Sequence, residues 1–170
     1  MNLVMVILRI IHIFAGIFWL GVMWYNVLFF LPRVKTFGQD RGRIMQTLAG
    51  PPLPQYLTLA GAGTALSGIL MFWYASAGFN REWLATPPGV VLAIAGLLGI
   101  YVVVEGLIVQ RPTAMRMAEL GRQAAPAGGP PNPAVMAQMQ ELSSRLERTA
   151  YRYAYVLALS AIGMAAFRYV

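Results

Sequence analysis

His12 is the only histidine of the chain, and it lies in a long apolar segment near the N-terminus. Taken as a helix of 3.6 residues per turn, this segment places seven residues on one face: Arg9, His12, Gly16, Trp19, Met23, Asn26 and Phe30. An imidazole in apolar surroundings can ligate a metal, carry a proton or satisfy a structural hydrogen bond. We expect this face to turn towards the other helices, with the three roles of His12 left open.

The residues around His12 fit the needs of a planar macrocycle. A haem requires an axial nitrogen, a slot free of bulky side chains and an arginine near its propionates. Arg9 lies one turn outward from His12, and the small residues Ser67, Gly96 and Ser160 are predicted at a comparable depth. The pattern predicts a b-type haem with His12 as its metal ligand. The predicted cofactor-binding residues are His12, Arg9, Gly16, Trp19, Met71 and Met164.

A single histidine leaves the coordination of such a haem open. A haem held by two histidines of one chain is excluded, so three arrangements remain: a five-coordinate haem, a His12–methionine pair with Met71 or Met164, or a haem bridged across a homodimer. In a purely structural role, His12 would instead bond to Ser67 or Ser160.

Methionines allow a further alternative. Thioethers suit Cu(I), and a copper-handling protein would use five methionines: Met1, Met5, Met23, Met71 and Met164.

Glu105 is the only acidic residue inside a predicted span. A lone carboxylate is costly at membrane depth, and Arg152 is predicted to reach a similar depth from the last span. We therefore expect a structural ion pair between Glu105 and Arg152, joined by Asn26, with a proton-relay or substrate role as the alternative.

Composition predicts that these residues lie in a membrane protein. Of 170 residues, 58% are hydrophobic and 11% charged, with a mean hydropathy of +0.61. Charge-free runs that exceed the roughly 20 residues needed to cross a bilayer predict spans at about 3–31, 54–77 and 87–110, and a shorter run predicts a fourth at 150–168. The predicted fold is all-α: a single membrane domain forming a four-helix bundle, with an extended cytoplasmic helical hairpin at about 111–149.

The basic residues predict orientation rather than nucleic-acid binding. The net charge is +7, and the basic residues concentrate after spans one and three: Arg33, Lys35, Arg41, Arg43, Arg111, Arg116, Arg122, Arg145 and Arg148. By the positive-inside rule these connections are cytoplasmic and both termini lie outside. We expect a multi-pass protein of a bacterial inner membrane, in contact with anionic lipid.

Local signals predict where the helices begin and end. Thr86-Pro87 and Asn132-Pro133 are helix starts, Pro32 should stop the first helix, and Pro112 should kink or end the third. The Gly50-Pro51-Pro52-Leu53-Pro54 stretch and the segment 124–133 are predicted turns. Gly61, Ala65 and Gly68 lie along one face of the second span, where small residues allow close helix approach.

The opening stretch "RIIHIFAGIFWLGVMWYNVLFFLP" resembles the first helix of a set of small bacterial membrane proteins. The set comprises copper-resistance-D-like proteins, the membrane domain of cytochrome-c-linked urate oxidases and HemJ-type protoporphyrinogen oxidase. The matching features are His12, Trp19, Gly21 and Pro32-Arg33, and "SGILMFWYASAG", "WLATPPG" and "RPTAMRM" extend the likeness to an uncharacterised branch. The resemblance implies a four-helix bundle with the first-helix histidine near a haem b site.

Two departures limit what the resemblance implies about chemistry. Lys35, the only lysine, lies in a loop, so the intramembrane lysine of the oxidase type is absent. The additional histidines of the urate-oxidase and di-haem types are absent too. Porphyrinogen oxidation and urate chemistry are therefore not carried over.

Three functional hypotheses follow, and whether the protein is an enzyme is left open. The first is a membrane redox protein that binds one b-type haem through His12, in electron transfer or as a haem-dependent component. The second is a cofactor-free accessory subunit that packs against a larger respiratory or photosynthetic complex, and the third is the copper-handling protein. Without cysteine, disulfides, thiolate metal sites and covalent c-type haem are excluded.

Overall fold

The computed structural model describes residues 3–38, 44–45, 47–48, 52–123 and 132–170. Met1, Arg41, Arg43, Gly50, Pro51 and most of the predicted turn at 124–133 lie outside these residues. The described residues are helical apart from short turns. Four continuous helical stretches are long and apolar enough to cross a membrane: Leu3–Lys35, Leu53–Ala75, Pro87–Arg122 and Pro133–Tyr169.

The first stretch consists of α1 (Leu3–Tyr25), a π-helical turn (Asn26–Phe30) and α2 (Leu31–Lys35). α3 (Leu53–Ala75) follows, and the short α4 (Arg81–Leu84) leads into α5 (Pro87–Glu105). After a second π-helical turn (Gly106–Gln110) come α6 (Arg111–Gln123) and α7 (Pro133–Ala166), which ends in a 3-10 turn (Phe167–Tyr169).

Neither Pro32 nor Pro112 ends its helix, so the expected stop at Pro32 is wrong. A proline lacks an N–H, and its ring clashes with the carbonyl four residues earlier. Both helices avoid this clash by widening the turn before the proline. The Leu31 and Arg111 amides donate to the carbonyls of Asn26 and Gly106, five residues earlier. The helices therefore continue past both prolines.

Two of the predicted helix starts are confirmed. Thr86 accepts a hydrogen bond from the Gly89 amide at 3.2 Å, with Pro87 as the first residue of α5. Asn132 accepts one from the Ala134 amide at 2.9 Å ahead of α7. Both side chains satisfy amides that the first helical turn leaves unpaired.

The helices pack mainly as two pairs, α1 along α3 and α5 along α7. The largest core cluster lies where the pairs meet, and its fully buried members include Val27, Val102 and Tyr153. In α1 the buried residues begin only at Trp19. His12 thus lies in the half of the structure beyond this cluster, whereas Glu105 lies at the cluster's other end.

α6 packs back along α7 as an antiparallel hairpin. Leu120 of α6 is buried, and Gly121 faces the Met139 side chain across the hairpin. Near the middle of α7, Glu147 forms an ion pair with Lys35 of α2. This ion pair connects α7 to the end of the first long helix.

Candidate functional site

His12 hydrogen-bonds to the backbone of α3. Its Nδ1 lies 2.8 Å from the carbonyl oxygen of Thr64. A carbonyl only accepts hydrogen bonds, so Nδ1 carries the hydrogen and donates it. In the neutral imidazole this leaves the lone pair on Nε2, for which the described residues provide no hydrogen-bond partner.

Ser67 contributes less to His12 than its position suggests. Its hydroxyl is 3.4 Å from His12 Nδ1, at the limit of a hydrogen bond, and it bonds mainly to carbonyls of its own helix. Ser160, the other predicted partner, donates to the Ala95 carbonyl at 2.7 Å instead. The shortest hydrogen bond of His12 is therefore the one to the Thr64 carbonyl, which the residue types could not predict.

Gly68 lets the imidazole approach α3 this closely. A Cβ at Gly68 would lie 2.9 Å from His12 Cε1 and 3.1 Å from Nδ1, closer than real Cβ atoms approach a neighbour. A Cβ at Gly61 would meet the Trp19 ring at 3.4 Å, an ordinary van der Waals contact. The small-residue face of α3 thus packs against His12 and Trp19 of α1.

The remaining predicted cofactor residues occupy varied positions. Arg9 is exposed, Trp19 is buried, and Met71 and Met164 are partly buried on α3 and α7. A Cβ at Gly16 would meet the Thr64 methyl group at 3.6 Å, an ordinary contact.

The small residues expected to leave a slot beside His12 are partly used for helix packing. A Cβ at Gly163 would lie 2.9 Å from the Ala95 Cβ, so α5 and α7 touch closely at this depth. Within the described residues, a Cβ at Gly96 meets nothing within 4 Å. Gly96, which is half-buried, is thus not used for close helix packing among the described residues.

The structure brings Glu105 and Arg152 together in an ion pair between α5 and α7. The Glu105 side chain is 16% exposed and that of Arg152 is 48% exposed. Glu105 Oε2 and the Tyr153 hydroxyl are buried without a hydrogen-bond partner among the described residues. Asn26, expected to join the pair, makes no side-chain hydrogen bond in the described part of the chain.

A pocket of about 340 Å³ opens beside this ion pair. Its lining comprises Glu105, Val109, Arg145, Arg148, Thr149 and Arg152. Tyr155, one turn beyond Arg152 on α7, packs edge-on against Trp24 with the ring centroids 5.6 Å apart.

No family model, curated protein or solved structure matches this chain. The likeness to the copper-resistance-D-like set therefore stays an expectation drawn from the residues. Among the described residues, no three His, Cys, Asp or Glu side chains group together to hold a metal ion. The metal donor that the described residues show at the candidate site is the His12 nitrogen.

Sequence reasoning did not find three features of the two polar regions. These are the Thr64 carbonyl as acceptor for His12, the orphaned Tyr153 hydroxyl and the place of Arg145 and Thr149 in the pocket. Helical spacing gave a signal for the last, because positions 145, 148, 149 and 152 share one face of a helix.

Proposed function

We propose that this protein is an integral membrane redox component that holds one b-type haem through His12 Nε2. The supporting observation is the hydrogen bond from His12 Nδ1 to the Thr64 carbonyl. Metal-ligating histidines characteristically donate their other ring N–H to a carbonyl or carboxylate, which fixes the tautomer and makes the ligating nitrogen more basic. The same arrangement occurs here at 2.8 Å.

The residues fit one side of such a haem well. His12 would supply an imidazole nitrogen, and Arg9, which is exposed one turn away on α1, would be the propionate partner. Because the ring itself fills the space at Gly68, the macrocycle would lie on the side of the ring away from that glycine. If the iron takes a second ligand, it would come from Met71, from Met164 or from His12 of a second copy.

When bound, a b-type haem supplies one-electron transfer. The residues of this chain hold and orient it: the Thr64 carbonyl fixes the His12 ring, and Trp19 packed on Gly61 fixes α1 against α3 beneath it. Apolar side chains around a bound haem would influence its reduction potential.

The proposed location is a bacterial inner membrane with both termini outside. Four helices are long and apolar enough to span a bilayer. The support for the orientation is the concentration of basic residues in the first and third connections.

Haem titration of the purified full-length chain tests the proposal. We expect a Soret band that saturates at one haem per chain, or per two chains if the haem is shared, and that His12→Ala abolishes or shifts. Ile13→Ala is the matched control, because it truncates the neighbouring, exposed side chain of the same helix.

A Soret band of unchanged strength and shape in His12→Ala would contradict the proposal. No saturable haem binding, combined with co-purification with a large complex, would support the accessory-subunit hypothesis instead.

A further inference from the structure

The pocket beside Glu105 carries an excess of positive charge that the described residues do not neutralise. Three of its lining residues are arginines of α7, and one is a glutamate. Among the ion pairs of the described residues, Arg152 takes part, but Arg145 and Arg148 do not. Two guanidinium groups thus face a pocket without a carboxylate partner, which favours an anionic occupant.

The same pocket also contains an unused acceptor. Arg152 engages Glu105 Oε1, whereas Oε2 is buried and has no hydrogen-bond donor among the described residues. A buried, unpaired carboxylate oxygen is costly. A ligand that completes this pocket would therefore bring both an anion for the arginines and a donor for Glu105.

Thr149 and Val109 complete the lining without supplying a donor. The Thr149 hydroxyl already donates to carbonyls of its own helix, at 3.1 Å to Arg145 and 2.9 Å to Leu146. Val109 gives the pocket one apolar wall next to the exposed side chain of Ile108. The pocket volume of about 340 Å³ is many times the roughly 30 Å³ of one water molecule.

We propose that this pocket binds a phosphate group that carries a hydroxyl donor on a short arm, as a glycerophosphate does. Arg145 and Arg148 bind the phosphate oxygens, for which guanidinium groups are well shaped, and the hydroxyl donates to Glu105 Oε2. Both a lipid head group and a free phosphate ester have this chemistry, and basic pockets between membrane helices are known to take lipid head groups. The inference is independent of the haem proposed at His12.

Lipid binding by the full-length chain in detergent, followed by native mass spectrometry, tests this. The probes are phosphatidylglycerol and phosphatidylmethanol, which have the same charge but differ in the head-group hydroxyls. We expect phosphatidylglycerol to bind more tightly, and Arg145→Gln and Arg148→Gln each to weaken it by about tenfold. Arg116→Gln on α6 removes the same charge from an exposed position outside the pocket and serves as control.

The experiment distinguishes a lipid from a free phosphate ester, and it tests the arginine site separately from the role of Glu105 Oε2. Competition by glycerol 3-phosphate at equal affinity would assign the pocket to a free phosphate ester, and its failure to compete would assign it to lipid. Equal losses in Arg148→Gln and Arg116→Gln would overturn the site. Equal binding of the two lipids would overturn the role of Glu105 Oε2.

Discussion

His12 is positioned by two features of α3: the Thr64 carbonyl and the absence of a Cβ at Gly68. The carbonyl has a second lone pair beyond its helical hydrogen bond, so it accepts from the imidazole without disrupting α3. Gly68 removes the Cβ that would otherwise push the ring away. A polar side chain within an apolar helix is thereby satisfied without a polar side chain opposite it.

Gly68→Ala should displace the His12 ring and destabilise the protein. The added methyl overlaps the ring at 2.9 Å, and overpacking of this kind costs about 1–3 kcal/mol. The free energy of unfolding in detergent measures the loss. Gly21→Ala, whose Cβ meets nothing within 4 Å, should be neutral or slightly stabilising, and equal effects in both variants would contradict the close contact at Gly68.

Glu105→Gln should lower stability, and adding Arg152→Gln should restore much of the loss. Removing one partner of an ion pair leaves the other charge uncompensated. Because the Arg152 side chain is half exposed, we expect a coupling energy of only about 1 kcal/mol. Purely additive single and double variants in a thermal unfolding series would reject the coupling.

The helices are held together by backbone contacts at small residues. Gly163 touches Ala95 between α5 and α7, and Ser160 donates to the Ala95 carbonyl one turn away. Within a membrane, close approach of this kind replaces the hydrophobic effect as the source of helix association. The pair α5–α7 is thus fixed by close contacts around Ala95.

Ser160→Ala should lower the free energy of unfolding by about 0.5–1.5 kcal/mol, because the hydrogen bond to Ala95 is buried. Ser144→Ala, at an exposed position on the same helix, is the control. No difference between the two variants would show that this bond does not stabilise the α5–α7 pair.

Helix starts could be predicted because a cap depends on a few adjacent residues, as at Thr86 and Asn132. The paths through Pro32 and Pro112 could not, since whether a proline ends a helix or widens one turn depends on the packing of the residues beyond it. The contacts of His12 could not be predicted either. A sequence does not give the rotation of α3 about its axis, so it does not show that Gly68 and the Thr64 carbonyl face His12.

Taken as a whole, the molecule contains two polar regions separated by the apolar core cluster. His12 lies on one side of this cluster and the Glu105–Arg152 pair with its basic pocket on the other. For a protein inserted with its basic connections in the cytoplasm, His12 would lie towards the outer surface and the pocket towards the inner one. The two sites are therefore expected to meet different ligands.

Fusions test this orientation. We expect alkaline phosphatase attached to the C-terminus to be active and a fluorescent protein at the same position to stay dark, because the C-terminus is predicted outside. A bright fluorescent fusion with inactive phosphatase would reverse the assignment of the two sides.

The visible spectrum of the protein isolated from its native membranes tests the haem proposal most directly, with haem content determined by pyridine haemochrome. We predict a Soret band with one b-type haem per chain, or per two chains if the haem is shared, and its loss in His12→Ala isolated in the same way. Native material without a Soret band, or a His12→Ala protein that retains its full haem content and spectrum, would contradict it.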